Sequence, residues 1–195
     1  MSALVSRVWT FGCVLLASSL AAAGCGDSAP PAPKIQVVSG QQHTASGPFG
    51  EVAVECCDTP AAWGVVEPFV ALGSALAADD FAQASGHAGR FAVGLEQHGA
   101  SLEAPAVAAL TALAPRMTGA TSIENLREEY LDASMHVIGI AAAHRGGDRK
   151  VAAAFCPMKP GRWLQESEPL ANPYYGATML RCGTFEPMEA ALAQH

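Results

Sequence analysis

Four sulfur-bearing residues form two short pairs near the end of the chain, Cys156 with Met158 and Met179 with Cys182. In an extended strand, residues two apart point the same way, so Cys156 and Met158 are predicted to share a face. Met179 and Cys182 are three apart and share a face in a helical turn. If the pairs converge, two thiolates and two thioethers form a soft ligand set that suits Cu(I) or Ag(I) better than Mg, Ca or Mn. Zinc comes second, because structural zinc sites usually take Cys and His.

The same residues also allow interpretations without a metal. In an oxidising compartment Cys156 and Cys182 could form a disulfide that closes the intervening loop and stabilises the fold by about 3–4 kcal/mol. Met158 and Met179 would then fill gaps in the core. A thiol redox enzyme is the third alternative, although the chain has no C-x-x-C pair of the thioredoxin kind. Spacing alone leaves these alternatives open.

The composition is that of a folded domain with an acidic balance. The 195 residues are 50% hydrophobic and 15% charged, and the formal net charge is −7. The hydrophobic content indicates a packed core. The acidic balance argues against a nucleic-acid surface, which needs a basic stripe. The sequence also has no G-x-S-x-G, phosphate-loop or H-E-x-x-H motif, so we expect a binding protein and not an enzyme.

The first 24 residues are predicted to be a signal peptide of the lipoprotein type. Arg7 supplies a short positive segment, an apolar run over residues 8–23 follows, and small residues precede Cys25. The apolar run is shorter than the roughly 20 residues that a spanning helix needs. The site resembles the lipobox of bacterial lipoproteins, which implies that Cys25 is lipidated and anchors the chain in the cell envelope, facing the periplasm. Ordinary cleavage after Ala23 is the alternative.

Residues 25–60 are predicted to be a flexible tether, because residues 26–50 are rich in Pro, Gly, Ser and Ala. Such a segment would lift the folded domain off the membrane surface.

Three residues outside the two Cys–Met pairs are further candidate metal ligands. Cys56 and Cys57 are adjacent at the end of the predicted tether. They could bind metal, pair with Cys156 and Cys182, or bridge to a partner. His136 lies next to a methionine on a predicted helix and is the weaker candidate, since a lone His is more often solvated or satisfied in the core.

The domain of residues 61–190 is predicted to be mainly α. Four segments have apolar residues at helical spacing, and short connections favour a small antiparallel bundle of about four helices. Asp79 and Asp80 are expected to cap free N–H groups at the first helix junction. Thr121 and Glu124 have capping-box spacing at the start of the fourth helix.

A short cap is predicted to follow the helices. The apolar stretch KVAAAFC, residues 150–156, comes after a Gly-Gly turn and is expected to be a strand. Asn172 before Pro173 favours a helical turn. The stretch MLRCGTF, residues 179–185, is typical of a turn or a second strand. These features predict a β-hairpin-like segment on the bundle.

Residues 156–183 contain the elements CPM, WL, NPYYG and ML-x-CG in this order. The pattern resembles the signature of a domain at the C-terminus of some periplasmic adaptor subunits of copper/silver RND efflux pumps. That domain also occurs alone in exported proteins and has been regarded as uncharacterised or heavy-metal-binding. The resemblance covers roughly residues 65–185, and its C-terminal motif is long and specific. It implies a helical domain for heavy-metal handling, with the two Cys–Met pairs as ligands.

The resemblance and the ligand set together predict a monomeric Cu(I)-binding protein of the cell envelope, with Ag(I) or Zn as other metals. The protein would sequester the ion or pass it to efflux components. No adaptor barrel or hairpin precedes the domain, so we do not expect the chain to be the pump adaptor itself. The alternative is a disulfide-stapled, metal-free module that docks on an envelope complex.

Overall fold

A computed structural model of the protein describes residues 47–193. The predicted signal peptide, the predicted lipidation site Cys25 and the predicted tether up to residue 46 lie outside the described residues. The regular elements follow the order α1 (Phe49–Val52), β1 (Val54–Cys56), α2 (Pro60–Ala77), α3 (Phe81–His98), α4 (Ala104–Thr118), α5 (Ile123–Ala143), β2 (Arg149–Cys156), β3 (Gly161–Gln165), β4 (Thr184–Glu186) and α6 (Met188–Ala193). Short 3-10 turns occupy Gly99–Ser101 and Gly176–Thr178.

The mainly helical class is confirmed, because the six helices together account for more than half of the described residues and α2 to α5 supply most of that helix. Each long helix begins where a polar side chain or a proline allows it. Thr59 accepts a hydrogen bond from the N–H of Ala62 at the start of α2. The predicted capping box at the start of α5 is displaced by one residue: the N-cap is Ser122, which accepts from the N–H of Asn125 at 3.2 Å.

An aromatic cluster forms the centre of the helical core. Phe69 on α2 stacks on Tyr130 of α5 with ring centroids 4.4 Å apart, and it meets Phe91 of α3 at 5.2 Å. All three rings are buried. The helices α2 and α3 approach closely at Gly64 and Gly94, where a Cβ on Gly94 would overlap the carbonyl oxygen of Gly64. Small residues at this crossing let the two helices share one core.

The predicted hairpin-like cap is instead a four-stranded antiparallel sheet centred on β2. β3 and β4 pair with the C-terminal half of β2 from opposite sides, and β1 pairs with its first three residues. Four consecutive residues of β2, Val151 to Ala154, are fully buried. A continuous apolar run of this kind is typical of a strand that is covered on both faces.

The predicted tether is wrong in its last part, because the folded domain begins before residue 61. Val54 pairs with Val151 and Cys56 with Arg149, so β1 is an integral strand of the sheet. The ring of Phe49 in α1 packs edge-on against Phe185 with centroids 5.6 Å apart. The segment rich in Gly and Pro ends near residue 50, and the folded domain begins there with α1 and the short strand β1.

Within the described residues, α2 is the one helix long and apolar enough to cross a membrane by length and composition. Of that window, 61% is buried inside the domain. A core helix passes the same test, and α2 packs here as a core helix.

Candidate metal centre

The strands β2 and β4 bring two free cysteines together. They pair antiparallel with Phe155 opposite Thr184. Extending this register by one residue sets Gly183 opposite Cys156, which leaves Cys182 immediately beyond. The Sγ atoms of Cys156 and Cys182 are 3.9 Å apart, and both cysteines are free thiols. We call these two residues the thiol pair.

The two thiols differ in their access to solvent. Cys156 ends β2 and is fully buried, whereas Cys182 is half-buried. Partial burial raises the pKa of the Cys182 thiol, and the neighbouring Cys156 raises it further. The pair therefore offers one inner sulfur and one that solvent and solutes can reach.

The spacing of the thiol pair fits two sulfurs that share one ion. With metal–sulfur bonds of about 2.3 Å, two thiolates on one centre stand roughly 3.8 Å apart in tetrahedral geometry and about 4.6 Å apart in linear geometry. The observed 3.9 Å lies in this interval. It is well beyond a disulfide bond of about 2.05 Å.

The two methionines are less closely placed than the sequence predicts. The strand β2 ends at Cys156 and a turn follows, so Met158 does not share a strand face with Cys156, and that expectation is wrong. Met158 is 63% exposed. Met179 is half-buried, and its carbonyl accepts a hydrogen bond from the N–H of Cys182 at 2.9 Å, as expected of a turn that joins the two.

The segment of residues 172–182, here called the site loop, is held together by Asn172. This residue is fully buried, and its backbone N–H donates to the carbonyl of Leu180 at 2.8 Å. Its side-chain amide donates to the carbonyl of Cys182 at 2.8 Å and accepts from the N–H of Tyr174 at 2.8 Å. The sequence predicted a cap at Asn172, and its side chain accepts from Tyr174 in that manner while also donating to the far end of the loop at Cys182.

Aromatic side chains line the inner side of the site. Trp163 and Tyr174 are buried and meet edge to face with ring centroids 5.9 Å apart. The Tyr174 hydroxyl donates to the carbonyl of Arg162 and lies 3.3 Å from the Ser134 hydroxyl. Burial raises the pKa of Tyr174, so this phenol stays neutral. Tyr175 is half-buried, and its hydroxyl donates to the carbonyl of Met158 at 3.3 Å.

An ion pair under the site loop was not expected from the sequence. Asp80 caps α3 as predicted, accepting from the N–H of Gln83 at 2.9 Å. Asp79 instead turns towards the site loop, where it pairs with Arg127 and accepts from the N–H of Ala177. From the sequence alone, Asp79 and Asp80 are two equivalent capping candidates, and nothing in it indicates that only Asp80 caps α3 while Asp79 contacts the site loop.

The other candidate ligands lie apart from the thiol pair or are already bonded. Cys56 and Cys57 form a disulfide with each other across a cis peptide bond, so neither pairs with Cys156 or Cys182. His136 is half-buried on α5 and lines an open groove that also includes Met135 and Arg162. In the part of the chain that the structure describes, no group of three or more His, Cys, Asp or Glu side chains could hold a metal ion.

His144 has a structural role at the end of α5. Its Nδ1 lies 3.2 Å from Asp58 and its Nε2 lies 3.2 Å from Glu103. These contacts tie the end of α5 to the residues that precede α2 and α4.

Comparison with known protein families, with curated proteins and with solved structures finds no match to this chain. Over residues 47–193, fold and site define a mainly helical domain with a four-stranded antiparallel sheet and one pair of adjacent free thiols.

Proposed function

We propose that the protein binds a soft metal ion, Cu(I) above all, through Cys156 and Cys182. The observation that supports this proposal is the 3.9 Å separation of two free thiols. Soft thiolate and thioether ligands select Cu(I) over hard cations, and Ag(I) shares this chemistry. Zinc fits less well, because its structural sites take Cys and His and not thioethers.

The four sulfurs would serve in an order set by their exposure. Met158 is the most exposed, Cys182 and Met179 are half-buried, and Cys156 is buried. On this proposal an ion would exchange one ligand at a time, from an exposed thioether to the buried thiolate, which requires the methionine side chains to turn towards the thiol pair. Binding requires deprotonated thiols. The raised pKa of Cys182 makes protons compete with the metal, so affinity falls as the pH falls.

The cellular setting is also a proposal. The lipobox-like sequence would place the chain in the bacterial cell envelope on a lipid anchor at Cys25. The resemblance of residues 156–183 to the adaptor domain favours a monomer that sequesters the ion or hands it to efflux components. The long helices would act as an antiparallel bundle that carries the site.

A competition titration tests the proposal. The full chain in mild detergent is kept free of strong reductant, so that Cys56 and Cys57 stay joined, and Cu(I) is added anaerobically against a chromogenic chelator. We expect one ion per chain, and a loss of at least about 100-fold in affinity when Cys156→Ser and Cys182→Ser are combined. Met188→Leu, in the buried face of α6, is the matched control and should bind as the wild type does.

Three further variants assign the thioethers and the second cysteine pair. Met158→Leu and Met179→Leu should each weaken binding less than loss of a thiol does, because a thioether carries no charge. The Cys56→Ser, Cys57→Ser chain should retain the site. A Cys156→Ser, Cys182→Ser chain with wild-type affinity overturns the proposal.

The same thiol pair supports a second candidate, a disulfide-stapled interaction module. The sulfurs are near enough that side-chain movement could join them, and closing the 26-residue separation would stabilise the fold by about 3–4 kcal/mol. Such a bond, if labile, could also be the metal-free form of the site. Thiol counting on the chain as isolated separates the candidates: a Cys156–Cys182 bond that resists reduction favours the module.

A further inference from the structure

The helix junction between α2 and α3 supports the loop that carries Met179 and Cys182. We propose that the Asp79–Arg127 ion pair is a positioning device: it holds the site loop, residues 172–182, so that Cys182 stays within bridging distance of Cys156. The identity of the ligand rests on the proposed function, whereas the role of the ion pair in setting the distance between the two thiols does not.

Arg127 contacts the site loop and the end of α2 at once. Its side chain is only 11% exposed. Nε donates to the carbonyl of Pro173 at 2.8 Å, and Nη2 donates to the carbonyl of Leu76 at 2.7 Å and to Asp79 at 2.5 Å. A buried guanidinium with several acceptors in fixed directions is a rigid connection between these elements.

Asp79 adopts a left-handed backbone conformation that is normally found at glycine. The N–H of Asp80 donates to the carbonyl of Ala75, and the N–H of Asp79 donates to that of Leu76. This is the Schellman pattern that ends a helix, with Asp79 as the left-handed residue at φ 57°. A glycine would avoid the steric cost that Asp79 carries. A costly conformation that persists suggests that the side chain is needed elsewhere.

The Asp79 carboxylate bonds to the backbone of the site loop and to Arg127. One oxygen pairs with Arg127, and the other accepts from the N–H of Ala177 at 2.8 Å. Gly176 lies directly on this pair with φ 53°, and a Cβ there would collide with the Asp79 carboxylate and the Arg127 guanidinium. The loop backbone is therefore seated on the ion pair without space between them.

A short series of backbone hydrogen bonds leads from this contact to the thiol. The N–H of Met179 donates to the carbonyl of Gly176 at 3.3 Å, and the N–H of Cys182 donates to that of Met179 at 2.9 Å. Beyond Cys182, Gly183 is held against the Phe155 carbonyl, which a Cβ would approach to 2.7 Å. Cys182 is thus fixed from both sides, and the Asp79–Arg127 pair supplies the first of them.

Two neighbouring aspartates give a matched experiment. Asp79→Gly removes the carboxylate but relieves the left-handed backbone, which offsets part of the stability lost with its contacts, so we expect a folded chain with a modestly lower melting temperature. Asp80→Gly removes the cap of α3, and glycine at an N-cap costs only about a few tenths of a kcal/mol. Both changes remove one negative charge, but only Asp79→Gly removes a contact to the site loop.

The probe is phenylarsine oxide, added to the full chain with the Cys56–Cys57 disulfide intact. Its arsenic forms two As–S bonds with two thiols, and the oxide oxygen leaves as water with both thiol protons. We expect Asp79→Gly to weaken this bridging about 10-fold and to speed the alkylation of Cys182 by iodoacetamide, while Asp80→Gly leaves both within about twofold of the wild type. Asp79→Asn, which keeps one acceptor for Ala177, should be intermediate.

The outcomes separate the positioning role from the proposed function. Equal arsenic bridging and equal Cys182 alkylation in Asp79→Gly and wild type overturn the positioning role. A wild-type chain that takes arsenic but no Cu(I) overturns only the proposed function. If the wild type takes no arsenic, the alkylation rates still decide the positioning role. Should Asp79→Gly fail to fold, Gly176→Ala pushes the loop off an intact ion pair and must reproduce the same two changes.

Discussion

At the scale of single residues, the site is defined by graded exposure of its sulfurs. Cys156 is fully buried and lies near the buried Tyr174, whereas Met158 is 63% exposed on a turn. Only a short turn separates the two along the chain. If the protein binds a metal as proposed, Cys182 is the thiol that an incoming ion reaches first, because Cys156 is buried.

The charge of Asp79 predicts how stability depends on pH. The N–H of Ala177 first, and then Arg127, hold the pKa of this carboxyl below its ordinary value. A folded-state pKa below the unfolded value contributes stability above the unfolded pKa, near pH 3.9, and that stability is lost as the pH falls through the folded pKa. Asp79→Asn should therefore lower the free energy of unfolding at pH 6 and lower it less at pH 3.

Urea unfolding at pH 6, 4 and 3 measures this difference. The control is Asp132→Asn, an exposed carboxylate that lies 3.2 Å from Arg116 and away from the site loop. A gap between wild type and Asp79→Asn that stays constant from pH 6 to pH 3 would show that the carboxylate charge contributes nothing.

At the scale of elements, the site loop depends on a single amide side chain. Removing it in Asn172→Ala leaves the buried N–H of Tyr174 and the carbonyl of Cys182 without these partners. Each lost partner costs about 1–3 kcal/mol, so we expect the free energy of unfolding to fall by roughly 2–4 kcal/mol. Asn172→Asp keeps the acceptor for Tyr174 but loses the donor to Cys182.

Urea unfolding and the rate of Cys182 alkylation test this role together. Asn172→Ala should show both a lower stability and faster alkylation of Cys182. Asn125→Ala, which removes an exposed side chain at the start of α5, is the matched control for stability alone. Unchanged alkylation in a folded Asn172→Ala chain would show that the amide does not position Cys182.

At the scale of the whole molecule, the sequence predicts the elements that depend on local pattern and misses those that depend on distant partners. Apolar spacing predicts the long helices, and the run KVAAAFC predicts β2. The three-residue β1 has too little periodicity of its own and exists because Val54 finds Val151 far along the chain. The role of Asp79 was missed for the same reason, since its contact partner lies 98 residues away.

In the candidate site, too, some features could be predicted from the sequence and others could not. The Cys156–Cys182 proximity could be expected, because both residues flank segments that were predicted to form one cap. The place of Met158 could not, since the strand ends one residue before Pro157 and a turn then carries the thioether to the surface. Thioether positions in a turn depend on its backbone shape, which apolar spacing does not encode.

The N-terminal boundary of the domain gives a test at this largest scale. A shortened chain of residues 47–195 keeps α1 and β1, whereas residues 58–195 lack both but retain Thr59, the N-cap of α2. The second chain loses the ladder to β2, the buried pair Cys56 and Cys57, and the Phe49 contact to Phe185. We expect it to be less stable by roughly 3 kcal/mol or more in urea, since buried apolar area and three paired strand residues are lost. Because β1 pairs with the first three residues of β2, the strand that ends at Cys156, the shorter chain should also bind phenylarsine oxide more weakly. If both chains unfold at the same urea concentration, residues 47–57 belong to a tether and not to the domain.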